Sequence, residues 1–238
     1  MKISRAIFLL FIFCLTSAAR GDVTLTQKIE GAGPVDIMVM KIKGDKARVE
    51  PNAKMTMIID NKTGEMLNLM HEQKKFIRIS SAQVQAVAGL AIGDDKDDDA
   101  ASAKPALKAT GRKETILGYE AQEYVTETPS FKATYWISTT YPGAKEITQQ
   151  LQSVSNNVWK SAAKHMPDMR DFRGLPLRSV VTVNGKEITS TLVSAKQDSL
   201  GDDEFVVPKD YQEIKMPDMQ SLMGGKPPGV KTKPPGAP

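Results

Sequence analysis

The chain predicts a mainly β, α+β fold: a large curved antiparallel sheet with one long and one short helix covering its concave face. Three observations carry this. Alternating apolar and polar segments of strand length recur along most of the sequence, separated by short turn signals. One segment alone switches to a long 3.6-residue period. Asn184-Gly185 stands between two alternating runs, the strongest two-residue hairpin signal.

The order begins with an export signal over 1–21. Lys2 and Arg5 precede an unbroken apolar run, Ala6 to Leu15, and Thr16, Ser17, Ala18 and Ala19 are small. The run is too short to span a bilayer, which takes roughly 20 apolar residues. Cleavage after Ala19 or after Gly21 fits equally well. Cys14 follows the bulky Phe13, so no lipid anchor is expected. Cys14 is also the single cysteine, which leaves the exported chain without disulfides, thiol nucleophiles or thiolate metal sites.

The formal charge of +4 shrinks once the signal is set aside. Lys2, Arg5 and Arg20 lie in 1–21 with no acid, so about 29 basic residues face 28 acidic ones. No basic stripe with interleaved aromatics stands out, so no nucleic-acid partner is expected. The remaining length of roughly 217 residues suits one domain, placed at 22–215.

From Asp22 to Ser80 the chain reads as a strand meander. Val23 and Leu25 alternate, as do Met38, Met40 and Ile42, and Met55, Met57 and Ile59. Asn61-Lys62-Thr63-Gly64 is a turn. Met66 to Met70 and Lys75 to Ile79 continue the sheet. Ser80 and Ser81 suit the cap of a short helix carrying Val84, Val87, Ala88 and Ala91. An acidic, then Ala/Ser-rich surface loop follows at 94–105. Strands resume from Leu107 to Thr139, where Tyr119, Tyr124, Phe131, Tyr135 and Trp136 concentrate the aromatics. Ile147, Leu151, Val154, Val158 and Ala162 then define an amphipathic helix, Ala144 to Lys164. Leu177 to Val183 and Glu187 to Ala195 form the hairpin, and Phe205 to Val207 reads as a last short strand. The segment 216–238, rich in Met, Pro, Gly and Lys, is expected to be a disordered tail. The sum is eight to eleven strands.

Four segments resemble a known family: Gly118-Tyr119-Glu120-Ala121-Gln122-Glu123-Tyr124, Tyr135-Trp136-Ile137, Gly174-Leu175-Pro176-Leu177-Arg178-Ser179, and Phe205-Val206-Val207-Pro208-Lys209-Asp210-Tyr211. They are similar to the LolA-like superfamily of bacterial envelope proteins, most closely to a domain-of-unknown-function family numbered 4412. The resemblance implies an unclosed β-barrel with helices in its mouth, a periplasmic or secreted location, and a lipid or lipoprotein acyl chain as partner. It carries no catalytic or ligand-contacting motif.

No chemistry-bearing constellation emerges. His71 and His165 lack metal spacing. Asp95, Asp97 and Asp99 imitate the start of a calcium loop, but Ala100 and Ala106 stand where glycine and glutamate are needed. Met216, Met219 and Met223 are soft Cu(I) donors without a nearby histidine. Phosphate-loop and Gly-x-Ser-x-Gly motifs are absent. The sequence therefore reads as a non-enzyme with no cofactor and no metal. Eleven of its 12 methionines follow the signal. Methionine suits surfaces that meet variable apolar partners. The candidate apolar cavity is accordingly lined by Met38, Met40, Met55, Met57, Trp136, Leu151 and Val158. The alternative is an envelope interaction module with a filled core, whose partner is another envelope protein.

Overall fold

A computed structural model describes residues 21–31, 33–83, 105–128, 131–155, 167–183 and 185–215. Residues 1–20 of the expected signal, most of the expected short helix, residues 94–104 of the expected acidic loop, Val158, His165 and the expected tail lie outside these residues.

Twelve strands form one sheet. They are β1 (Val23–Glu30), β2 (Asp36–Lys43), β3 (Lys46–Asn52), β4 (Met55–Asp60), β5 (Glu65–Met70), β6 (Lys75–Ile79), β7 (Lys108–Ile116), β8 (Tyr119–Thr128), β9 (Phe131–Ser138), β10 (Leu175–Val183), β11 (Lys186–Gln197) and β12 (Gln212–Glu213). The order β12-β6-β5-β4-β3-β2-β1-β11-β10-β9-β8-β7 is that of an unclosed sheet. All pairs are antiparallel except β12 with β6. Two meanders, β1–β6 and β7–β11, are thus sewn together by β1 against β11.

The turns follow local chemistry. Asp60 Oδ1 accepts hydrogen bonds from Lys62 N at 2.9 Å and Thr63 N at 3.0 Å, and Gly64 supplies a φ of +73°. This is the turn expected at Asn61–Gly64. The Leu117-Gly118 loop has φ of +53° and +81°, the paired positive angles that match strand twist in a tight hairpin. Val183 pairs with Lys186 across the expected Asn184-Gly185 turn.

The helix α1 (Ala144–Ser155) covers one face. Its Ala144, Ile147 and Val154 are buried in the main core cluster, with Val23, Leu25, Ile42, Ile59, Leu177 and Leu192. Tyr141, just before α1, ties it to the sheet: Ala195 N donates to the Tyr141 hydroxyl at 3.0 Å. Tyr141 also packs on Tyr119, ring centroids 4.9 Å apart.

One expectation is corrected. Phe205 to Val207 is not a strand: Asp202–Phe205 is a 3-10 turn, and the last strand is Gln212–Glu213. The physical reason is the run of acids before Phe205. Lys43 pairs with Asp202 at 2.8 Å and Lys41 pairs with Glu204, while Arg48 donates to the Glu204 carbonyl at 2.7 Å. These bonds set the line along which the segment crosses the sheet, and packing of Phe205 with Ile58, Leu69 and Phe76 holds it there rather than in the ladder.

Candidate apolar binding face

The register of β2 to β6 sorts every side chain onto one of two faces. Met40 lies opposite Val49, Val49 opposite Met57, Met57 opposite Asn68, and Asn68 opposite Ile77. Directly paired residues share a face, and residues two apart along a strand share it too. Six methionines therefore stand on one face: Met38 and Met40 from β2, Met55 and Met57 from β4, Met66 and Met70 from β5. Ile59 and Ile79 of the same face belong to the core under α1, and Met40 and Met66 pack against it.

The reverse face of the same strands behaves differently. Thr56 and Leu69 are fully buried, and Ile58 and Phe76 nearly so. Their cover is the segment 200–214, which runs over the back of the sheet as a strap. Leu200 and Phe205 join Ile58, Leu69 and Phe76 in a second cluster, with Val207 and Tyr211 packed on it. At the far end the strap is latched. Thr56 Oγ1 is 2.8 Å from His71 Nε2, the Tyr211 hydroxyl is 2.6 Å from His71 Nδ1, and Lys74 pairs with Asp210 at 2.8 Å. Gln212 N then donates to Lys74 O and Ile214 N to Phe76 O, forming β12. Hydrogen bonding to Lys43 lowers the Asp202 carboxyl pKa below its ordinary value, and Lys74 does the same to Asp210. His71 is thus a structural latch. Among the described residues no group of three or more His, Cys, Asp or Glu is placed to hold a metal ion.

The contrast between the two faces defines the site. Over β4–β6 the back is covered by the strap, whereas towards β2 it opens, with Ile37 47% exposed; on the front all six methionines stay half-buried. A methionine is worth about 1.5–3 kcal/mol when fully buried, so this face retains burial that a ligand would complete.

The seven residues expected to line a cavity fall into three groups. Met40, Trp136 and Leu151 all pack against the main core cluster. Met38, Met55 and Met57 share the sheet face of Met40. Val158 lies outside the described residues. Trp136 has a charged cover: the Arg178 guanidinium carbon is 5.4 Å from its ring centroid, and Arg178 Nη1 donates to both Glu114 carboxylate oxygens at 2.8 and 2.9 Å. Its ring thus meets a cation as well as the core cluster. Sequence reasoning missed Met66, Met70 and Asn68 on the face. Their alternation with Leu67 and Leu69 was the available signal.

Asn68 is the polar exception among the methionines. Its Oδ1 is buried and has no hydrogen-bond partner among the described residues.

The fold and face define an open, strap-backed β-sheet with an apolar, methionine-rich front. A family model described as "Domain of unknown function (DUF4412)" matches residues 25–211, and the chain belongs to that family. No curated protein matches the chain. Among solved structures, PNGF-II is 15% identical with a TM-score of 0.41, over 86% of this chain and 33% of that one. The chain thus spans about a third of PNGF-II. The complex of Pseudomonas aeruginosa MucA and MucB is 10% identical, TM-score 0.37, over 83% and 59%. The Mycobacterium tuberculosis lipoprotein LppX is 10% identical, TM-score 0.35, over 76% and 88%. Among the described residues no helix is long and apolar enough to cross a membrane.

Proposed function

We propose that this protein is an exported envelope protein, periplasmic or secreted, that holds an acyl chain or similar apolar ligand against its methionine face beneath α1. The supporting observation is the front of β2–β5, where six flexible thioether side chains remain half-buried beside α1, while the strap covers the back of β4–β6. Unbranched methionines repack around chains of varied shape. Each methylene removed from water contributes about 0.8 kcal/mol, so a long chain needs no charged anchor to be retained. The residues that would meet it are Met38, Met40, Met55 and Met57, with Leu151 of α1 at the margin.

Native mass spectrometry of protein purified from its own periplasm tests this. The expected result is a retained lipid mass and a rise in melting temperature on adding fatty acid. A protein of bare mass whose stability ignores fatty acids would overturn it.

A second reading, an interaction module for another envelope protein, is favoured by β7. This strand ends the sheet, and all its residues but Ile116 are exposed. An edge of this kind pairs with an added strand. Co-purification of a protein in place of lipid would support it.

A further inference from the structure

We propose that the ligand carries a hydroxyl within its apolar length, bonded to the side-chain amide of Asn68; this rests on the apolar-ligand reading above. Asn68 sits inside the methionine face, not at its rim. Met66 and Met70 flank it along β5, and Met57 and Ile77 stand opposite it on the neighbouring strands. None of these four side chains bears a strong donor. Asn68 Oδ1 is buried without a partner among the described residues.

A buried amide oxygen left unpaired is costly. A plain alkyl chain laid over the face would leave that oxygen unpaired, as it is without a ligand. A chain with a hydroxyl at this depth would satisfy it and still bury its methylenes on the methionines. The hydroxyl both donates and accepts, so it serves either end of the amide. Asn68 is then a specificity residue. It selects among apolar chains by favouring those whose hydroxyl pairs its amide, as polar sites prefer ligands that carry the matching group.

Binding of oleate and of its mid-chain hydroxy analogue ricinoleate to the whole exported protein tests this by calorimetry. Ricinoleate is expected to bind about tenfold more tightly, the equivalent of one satisfied hydrogen bond. The variants Asn68→Leu and Asn68→Met are expected to abolish that preference. Equal affinities in the unmodified protein would overturn the hydroxyl proposal and leave the apolar-ligand reading intact. So would a preference that survives in either variant. Failure of both fatty acids to bind would overturn both.

Discussion

Tyr135 is 6% exposed and wedged among Ala133, Ile137 and Phe172, with the Phe172 ring edge-on at 5.0 Å between centroids. Desolvation disfavours the phenolate and pushes its pKa up to about 12. The unfolded phenol ionises near pH 10. A raised folded value means that the folded state keeps its proton while the unfolded state has lost it. The associated stability is therefore complete below about pH 10 and disappears as the pH climbs towards 12. Tyr135→Phe is expected to remove this component and move the base-unfolding midpoint upward, with little change at neutral pH. Circular dichroism across an alkaline titration reads it, and an unchanged midpoint would contradict the assignment. Gly174 shows a different constraint at the same scale: a Cβ there would sit 2.3 Å from the Ser138 carbonyl oxygen. That close approach explains a glycine just before Leu175, which pairs with Ser138.

The strap is held by two kinds of contact, and they differ in strength. Its ion pairs Lys43–Asp202 and Lys74–Asp210 are solvent-exposed, where charge attraction is screened. Phe205 is 4% exposed between Ile58 and Phe76. Phe205→Ala is expected to cost about 3–5 kcal/mol and to open the chain after Gln197 to proteolysis, whereas Asp202→Asn leaves the melting temperature nearly unchanged. Thermal melts with limited proteolysis decide between them; equal effects would mean that charge holds the strap. Both aspartates have lowered folded pKa values, so their smaller contribution is present above the ordinary carboxylate range. It is lost as the pH falls through their folded values. The strap was also the element least legible in the sequence. Strands such as Met55–Asp60 announce themselves through a period of two, and Asn184-Gly185 announces its turn. Phe205 reads as strand by composition, and only its distant partners Lys41, Lys43 and Arg48 show that it crosses the sheet. A two-residue parallel strand such as β12 has no period to detect. The site was legible in the same measure. Methionine alternation shows that Met38, Met40, Met55 and Met57 share a sheet face, whereas the Arg178 that stacks on Trp136 comes from another strand and has no signal in the sequence.

The whole sheet depends on one seam. Val23 pairs with Gln197 and Glu30 with Thr189, so the first strand of one meander meets the last of the other. Leu25 and Leu192 lie fully inside the core there. Contacts so distant in sequence close late and make folding slow. The four segments that resemble the family lie on the second meander and the strap, from Gly118 to Tyr211. Among the described residues the last backbone tie is that of Ile214, whose N–H meets Phe76 O at 2.8 Å. Beyond it, 216–238 holds repeated prolines and glycines and few β-branched or aromatic residues. Ordering such a segment costs roughly 1–2 kcal/mol per residue, with little apolar area to offset it. Deleting 216–238 is therefore expected to leave the melting temperature unchanged. Deleting from Tyr211 onward removes the hydroxyl bonded to His71 and both β12 hydrogen bonds, and is expected to lower it clearly. Differential scanning calorimetry of the two truncations makes the comparison. A drop on the shorter truncation would mean that the tail packs on the sheet, and that Met216, Met219 and Leu222 belong to the structure rather than to its appendage.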